Sequence, residues 1–356
     1  MKCTDRQSGT RARRRQEKKR QQMLAAAMLL AILCAVALIG LIGYLLFFRS
    51  HELELTNPYD ISSQKYGVLQ DADVAVSLRA EPFTKDLCVT AADVSFDSVQ
   101  TESASAAAIM DLNEHKVLYA KNIHERLYPA SLTKIMTALV AIKYGNLDDS
   151  IFVDEIALDI DPESSVCYLQ YGDEYTLRQL IYGLLIASGN DAGNAIAAHV
   201  GGSIEGFVDM MNQEAALIGA TNTHFTNAHG LQDENHYTTA YDTYLIFQEA
   251  LKYDVFNDAI NQKAYTVTYK DIEGDLYERT WFATNYYFTG ESMPPNGVTV
   301  FGGKTGTTDE AGACLALLSK DDYGNSYFSI VMDSDTKENL YLQMNDLLSI
   351  INKKEL

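Results

Sequence analysis

The sequence predicts an α+β fold, in which an antiparallel sheet is flanked by helices and a mostly helical part packs beside it. Two short apolar runs, at residues 107–112 and 116–120, are separated by Asn113-Glu114-His115 and predict a β-hairpin. Strand patterns return late in the chain, at residues 298–301, 314–318 and 327–332. Because strands come from both ends, we expect one antiparallel sheet built from both ends of the domain.

Helical patterns fill the middle of the chain and also close it. Apolar residues recur at helical spacing after Pro129, and residues 176–187 begin at a Thr that is suited to cap a helix. We predict further helices at residues 190–200, 203–218 and 239–251, and an amphipathic helix at residues 338–351.

The charge is distributed unevenly along the 356 residues. The first 22 residues hold nine of the 28 basic residues and two of the 48 acidic ones, so the remainder carries a net charge of −27. An acidic body of this kind argues against nucleic acid as a partner, since it offers little to neutralise phosphates.

The basic head is followed by residues 23–48, a run of 26 residues without a charge, which is long enough to span a bilayer. A cleavable signal peptide would have a shorter apolar core and a small-residue cleavage site, whereas this run ends Leu45-Leu46-Phe47-Phe48-Arg49. We expect residues 1–22 in the cytoplasm, a transmembrane anchor at 23–48, an extracellular stalk at 49–105 and a folded extracellular domain at 106–356.

The histidines and cysteines do not have the spacing of a metal site. His224, His229 and His236 match no His-Glu-x-x-His pattern, and the chain has no Cys-x-x-Cys. We therefore expect no metal and no cofactor, and we interpret Cys167 as a packed, buried thiol.

Three short motifs carry the chemistry. Ser131 and Lys134 are three residues apart at a predicted helix start, so their side chains lie one turn apart on one face, a nucleophile beside a base. Ser188-Gly189-Asn190 lies between two predicted helices, and Lys304-Thr305-Gly306 follows a predicted strand. This order of Ser-x-x-Lys, Ser-x-Asn and Lys-Thr-Gly is typical of serine enzymes that bind penicillin.

The surrounding sequence resembles the D-alanyl-D-alanine carboxypeptidases, the low-molecular-weight penicillin-binding proteins of serine peptidase family S11. The resemblance covers roughly residues 106–335, most of the part expected outside the membrane. It is carried by residues 125–134, 183–192, 222–231, 236–240 and 303–312. It implies a β-lactamase/transpeptidase-like fold and removal of the terminal D-alanine from peptidoglycan stem peptides through an acyl-enzyme on Ser131. It also implies that β-lactams act as covalent inhibitors.

The chemistry assigns a role to each catalytic residue. Ser131 attacks the peptide carbonyl once Lys134 takes its proton, which requires an amine kept neutral by burial and by a nearby cation, Lys304. Ser188 bridges the two amines to the leaving group and relays a proton. Asn190 holds the substrate amide and orients Lys134.

The third motif supplies the substrate-binding residues. Lys304 and Thr305 bind the C-terminal carboxylate of the peptide by charge and hydroxyl, and Gly306 lets the strand approach the substrate closely. The resemblance implies an oxyanion hole made by the backbone N–H groups of Ser131 and Thr307.

The chain departs from the family pattern at two places. Thr307 stands where many relatives carry His or Tyr, and the stretch Ala283-Thr284-Asn285 lacks the Arg that relatives often have there. We therefore expect carboxylate binding to depend more heavily on Lys304.

Two other functions stay open as alternatives. A serine β-lactamase would need a carboxylate that positions a deacylating water, and no convincing Glu-x-x-Leu-Asn stretch lies between Lys134 and Lys304. A non-catalytic penicillin-binding wall protein is disfavoured by the intact motifs. Asp191 is expected to cap the helix after Ser188, with a share in catalysis as the alternative.

Overall fold

The computed structural model describes residue 23 and residues 84–97, 99, 101–161 and 163–353. All of these except residue 23 belong to one unit, Ala80–Leu356. The strands described in this unit are β1 (Ala104–Asp111), β2 (Lys116–Lys121), β3 (Ser150–Phe152), β4 (Glu174–Thr176), β5 (Ala264–Lys270), β6 (Leu276–Phe282), β7 (Val298–Thr308), β8 (Gly312–Asp321) and β9 (Ser326–Ser334).

The helices lie mainly between β2 and β7. A 3-10 turn at Ala130–Leu132 leads directly into the first helix. The α-helices are α1 (Thr133–Tyr144), α2 (Glu155–Leu158), α3 (Leu177–Ile186), α4 (Asn190–Gly201), α5 (Ile204–Leu217), α6 (Ala240–Ala250), α7 (Asp254–Ile260), α8 (Tyr286–Thr289) and α9 (Lys337–Lys353).

The larger sheet has five strands in the order β2-β1-β9-β8-β7, and each neighbouring pair runs antiparallel. The strands β1 and β2 are the predicted hairpin, and Ala107 of β1 lies opposite Val331 of β9. The prediction of one sheet built from both ends of the domain is confirmed.

This sheet separates two apolar cores, because successive side chains of a strand point to opposite faces. Ala108 and Met110 of β1 face the helical middle of the chain, whereas Ile109 faces α9. Met344 and Leu347 of α9 pack on that second face. The C-terminal helix therefore covers one side of the sheet and the helical part covers the other.

A second sheet, with the order β3-β4-β5-β6, was not predicted. Two of its strands have only three residues, too few for a periodic pattern to be recognised. The outer face of β5 and β6 is exposed, while Trp281 on the inner face is 3% exposed and its ring centroid lies 6.1 Å from that of Tyr175.

The predicted boundary between stalk and domain at residue 105 is wrong. Cys88 is fully buried, and its backbone N–H donates to the Tyr244 hydroxyl over 2.8 Å. Val94 forms a bridge with Ala120 at the edge of the hairpin. The segment from about residue 87 is thus part of the folded domain, because Cys88 is buried beside α6 and Val94 pairs with β2. Residues 49–83 of the predicted stalk lie outside the described residues.

The predicted transmembrane anchor, residues 23–48, lies outside the described residues apart from Met23. Within the part of the chain that the structure describes, every helix is too short or too polar to cross a membrane.

Candidate active site

The nucleophile Ser131 lies in the 3-10 turn that precedes α1. The preceding residue, Ala130, has a φ of +46°, a left-handed conformation that is unfavourable for any residue except glycine. The Thr133 hydroxyl donates to the Ala130 carbonyl over 2.8 Å. Gly230 packs against the same carbonyl so closely that a Cβ there would lie 1.8 Å from its oxygen. The turn that presents Ser131 is therefore held from two sides.

His236 completes this support, a role that sequence reasoning missed. Its Nδ1 accepts from the Thr226 backbone N–H over 3.0 Å, which places the ring proton on Nε2. Nε2–H then donates to the Thr133 hydroxyl over 2.7 Å. Burial lowers the pKa of His236 to about 4, so the ring is neutral at physiological pH. A histidine 105 residues from the nucleophile has no local sequence signal that reveals this contact.

Lys134 lies where the chemistry requires a base. Its Nζ is 2.7 Å from the Ser131 hydroxyl, and it donates over 2.7 Å to both the Asn190 side-chain carbonyl and the His229 backbone carbonyl. Burial, and next the charge of Lys304, hold the pKa of Lys134 well below its usual value. A neutral amine has two hydrogens and one lone pair, so the two carbonyls take the hydrogens and the lone pair faces Ser131.

Ser188 is hydrogen-bonded to the second lysine of the site, Lys304. Lys304 is 1% exposed, and its Nζ donates to the Ser188 hydroxyl over 2.9 Å and to the Thr305 carbonyl over 2.7 Å. Burial lowers the pKa of Lys304 to about 7. Among the described contacts Ser188 has a hydrogen bond to Lys304 but none to Lys134, so only one half of the expected bridge between the two amines is present.

The Lys304-Thr305-Gly306 motif lies within β7. The sequence predicted the motif after a strand at residues 298–301, but that strand extends to Thr308. Gly306 packs against the nucleophile turn, where a Cβ would lie 3.0 Å from the Ser131 backbone nitrogen. The absence of a side chain at Gly306 therefore lets β7 contact the nucleophile turn directly, in addition to leaving room for substrate beside the strand. The Thr305 hydroxyl lies 2.6 Å from the hydroxyl of Thr284, in the stretch that lacks the arginine.

Two cavities meet at Ser131 and Thr307. The small cavity has a volume of about 120 Å³ and is lined on one side by Ser188 and Thr305. The large cavity has a volume of about 510 Å³ and is lined by Asn190 among others. The structure thus places all eight predicted site residues around one cleft. The oxyanion hole at the Ser131 and Thr307 N–H groups stays a prediction.

The expected helix cap at Asp191 is wrong. The N-cap position of α4 is Gly189, and the buried Asp191 carboxylate instead accepts from the backbone N–H groups of Cys167 and Leu169 over 2.8 and 3.0 Å. Asp191 therefore holds the loop before β4 against α4. Cys167 is fully buried in that loop, as predicted, and burial raises the pKa of its thiol.

The fold and the site together define a class of serine enzymes in which a lysine is the base and a Ser-x-Asn and a Lys-Thr-Gly motif complete the cleft. The family model of D-alanyl-D-alanine carboxypeptidase, peptidase family S11, matches residues 92–336. The chain belongs to this family.

Relatives agree with this assignment. D-alanyl-D-alanine carboxypeptidase DacF of Bacillus subtilis (strain 168) is 37% identical over 222 residues, 61% of this chain and 54% of the relative. DacC of Escherichia coli (strain K12) is 33% identical over 264 residues, 71% of this chain and 62% of the relative. The chain thus spans between half and two thirds of the length of these relatives.

The crystal structure of the Streptomyces K15 DD-transpeptidase aligns with a TM-score of 0.65 at 29% identity, covering 70% of this chain and 97% of that chain. The α+β prediction of a transpeptidase-like fold is confirmed for the domain.

Gly230→Ala tests the support of the nucleophile turn. The added Cβ overlaps the Ala130 carbonyl, so Ser131 must move, and a displacement of about 1 Å at a reacting group costs about a hundredfold in rate. We expect the second-order rate constant of acylation by benzylpenicillin to fall by about that factor. Gly274→Ala is the matched control, because Gly274 also has a positive φ (+88°) but no atom within 4 Å. Equal rates for the two variants would contradict the role assigned to Gly230.

The pKa of Lys304 predicts opposite pH dependences for activity and stability. Lys304 loses its charge above about pH 7, so kcat/KM for a substrate with a carboxylate should fall as the pH rises through that value. In the unfolded chain the pKa of Lys304 is near the ordinary lysine value of about 10.4. The unfolded state therefore binds more protons than the folded state above pH 7, and the free energy of unfolding rises with pH.

The two quantities should therefore diverge between about pH 7 and pH 8, below the pKa of a free thiol at about 8.5 and well below that of tyrosine. Steady-state kinetics and urea unfolding at matched pH values measure them. A kcat/KM that stays constant to pH 8 would contradict the charge assigned to Lys304.

Proposed function

We propose that this chain is a serine D-Ala-D-Ala carboxypeptidase that removes the terminal D-alanine from peptidoglycan stem peptides. The observation that carries the proposal is the 2.7 Å contact between the buried Lys134 amine and the Ser131 hydroxyl. Burial holds the pKa of this amine well below its usual value, which favours the neutral form. A serine that is hydrogen-bonded to an uncharged amine is an activated nucleophile at neutral pH.

The reaction has two stages, in each of which Lys134 acts as the base. In the first, Ser131 attacks the carbonyl between the two D-alanines while Lys134 accepts its proton. The proton passes to the leaving nitrogen through Ser188, and free D-alanine departs. In the second, water attacks the ester on Ser131, Lys134 accepts the proton of the water, and the shortened peptide is released with the Ser131 hydroxyl restored.

The terminal carboxylate of the peptide binds at the small cavity. Thr305 of β7 and the exposed Lys337, at the start of α9, line this cavity, and Lys304 lies behind its wall with its amine bonded to the Ser188 hydroxyl. Lys337 places a second positive charge in a cleft that lacks the arginine of relatives. Substrate binding therefore does not rest on Lys304 alone.

Ser131→Ala tests the proposed function. The variant keeps the fold but lacks the nucleophile, so both covalent labelling by fluorescent penicillin and release of D-alanine from a D-Ala-D-Ala peptide should disappear. The unmodified protein should form a stable label. Rapid turnover of nitrocefin by the unmodified protein would instead favour a serine β-lactamase, and absence of both label and D-alanine would favour a non-catalytic wall protein.

We also propose that the chain is a single-pass protein of the cell membrane. The uncharged residues 23–48 and the basic residues before them support an anchor with the N-terminus in the cytoplasm and the catalytic domain outside the cell.

Fractionation of cells tests this anchor. The penicillin-labelled chain should stay with membranes in alkaline carbonate and be released by detergent, and proteinase added to intact protoplasts should digest the labelled domain. Recovery of the intact chain in the carbonate supernatant would contradict the anchor.

A further inference from the structure

A third cavity lies on the helical side of the five-stranded sheet, where the end of α6 and the helix α7 meet β7 and β8. This α6–α7 cavity has a volume of about 630 Å³, which is larger than either cavity at Ser131. Cavities that hold small ligands in proteins usually measure about 300–1,000 Å³. None of its described lining residues lines a cavity at Ser131, so the reaction at Ser131 gives it no role.

A bulge in β7 brings an aromatic ring to this cavity. The two neighbours of Phe301 in β7 pair with consecutive residues of β8, so Phe301 is the extra residue of the bulge. Bulges of this kind re-aim a side chain at the edge of a sheet. Phe301 lines the cavity, and the Lys320 ammonium lies 4.2 Å from the centre of its ring. The apolar side chains of Leu251 and Leu318 continue this wall.

The lining is polar but has no net charge. Among the described residues that line it, Lys320 and Asp258 are the charged ones, and their formal charges cancel. The Asp258 carboxylate already accepts from the Tyr182 hydroxyl and from the Gln262 amide. A neutral ligand therefore fits this lining better than a strongly charged one.

Side-chain amides supply most of the remaining polar groups of the lining, from the β1–β2 turn, α6 and α7: Asn113, Gln248, Asn257 and Asn261. An amide both donates and accepts hydrogen bonds, and a hydroxyl does the same. Amides beside an apolar and aromatic wall thus match a ligand that has hydroxyl groups on its rim and C–H groups on its face.

Gln248 is the residue of this lining that lacks a partner. Its side-chain oxygen is buried and has no hydrogen-bond donor among the described residues. A buried acceptor without a donor is unfavourable and uncommon in native proteins. Gln248 lies between the α6–α7 cavity and a neighbouring cavity of about 300 Å³ and lines both of them. This space lets the amide turn, so a hydroxyl bound in the α6–α7 cavity can supply the missing donor.

We propose that the α6–α7 cavity binds a neutral sugar, whose hydroxyl groups bond to the amides and whose C–H face packs on Phe301. The sugar is assigned to a glycan strand of peptidoglycan. This assignment of the source rests on the proposed function, since the stem peptides that Ser131 would trim are attached to that polymer. The cavity then holds the polymer while Ser131 acts on a peptide, and a short peptide without sugar does not use it.

Calorimetric titration of the full chain, in a detergent without a sugar headgroup, tests the site with N,N′,N″-triacetylchitotriose as the probe. We expect saturable binding at one site. Prior acylation of Ser131 by benzylpenicillin should leave the affinity unchanged, because the lining of the two regions is not shared. Loss of binding after acylation would place the sugar in the cleft at Ser131 and overturn the proposal.

Two further ligands test the chemistry of the site. Maltotriose is a neutral sugar without acetamido groups, and it should bind more weakly than the chitotriose. Equal binding of maltotriose would overturn the assignment to peptidoglycan and support a site for neutral sugars in general. Displacement of the chitotriose by inorganic phosphate would overturn the neutral-sugar site, since Lys320 would then hold an anion.

Substitutions locate the site. Gln248→Leu should lower the affinity for the chitotriose about tenfold through the loss of a hydrogen bond. It should not lower the free energy of unfolding, because it removes a buried acceptor that has no donor. Phe301→Leu keeps an apolar side chain without the ring and should also weaken binding. Gln213→Leu is the matched control, since Gln213 is exposed on α5 and lines none of the cavities described. Unchanged affinity in Gln248→Leu, or an equal loss in Gln213→Leu, would overturn the location.

D-alanine release separates this inference from the function on which its source rests. The rate with a short D-Ala-D-Ala peptide should be the same in Gln248→Leu and in the unmodified chain, whereas the rate with intact peptidoglycan should fall in the variant. A chain that releases D-alanine but binds no sugar would overturn the sugar site alone. A chain that binds the sugar but releases no D-alanine would overturn the proposed function and the peptidoglycan source, and would leave the sugar site in place.

Discussion

The site depends on one fully buried lysine amine. Transfer of a charged ammonium from water into a protein interior is strongly unfavourable, so Lys134 is stable there only as a neutral group whose hydrogens are bonded. The two carbonyls of Asn190 and His229 accept those hydrogens, and the Ser131 hydroxyl meets the remaining lone pair. These contacts tie α1, the start of α4 and the loop around residue 229 to one atom. The interactions that hold the fold together at this point also make the amine a base.

The backbone near this amine is under strain, and its surroundings hold it there. Ala130 and Ser188 both have positive φ although neither is glycine, at +46° and +61°. Such conformations persist only where neighbouring groups determine them. At Ala130 the neighbours are Gly230, which leaves room for the carbonyl, and Thr133, which donates to it. His236 fixes Thr133 from behind, so a residue without contact to substrate sets the position of the nucleophile.

The charges differ between the two sides of the cleft at Ser131. The small cavity presents Lys337, and the hydroxyl of Ser188 in its wall is bonded to Lys304, whereas the large cavity presents carboxylates from two loops. The electric field in the cleft therefore runs across Ser131, from the basic side to the acidic side. The chain as a whole is acidic, with a formal net charge of −20, so the two lysines at the cleft stand out locally against the average. Screening limits the reach of the exposed Lys337 charge to about 8 Å at physiological ionic strength, so its effect falls on groups near the cleft.

Local patterns in the sequence determined much of this protein. The hairpin of β1 and β2, the helices α3 to α6 and the order of the three motifs follow from short-range periodicity, capping and spacing, which act between residues close in the chain. Ser131 beside Lys134 is such a case, because one helical turn brings them together.

Other features were decided only by the tertiary structure, because they join residues that are far apart in sequence. The short strands β3 and β4 pair with each other, and β4 in turn pairs with β5 from much later in the chain. Residues near Cys88 join the domain because α6 covers them. Asp191 binds a loop and does not cap its helix, and His236 reaches Thr133 across 103 positions. Such contacts depend on how the elements pack, and no periodic pattern records them.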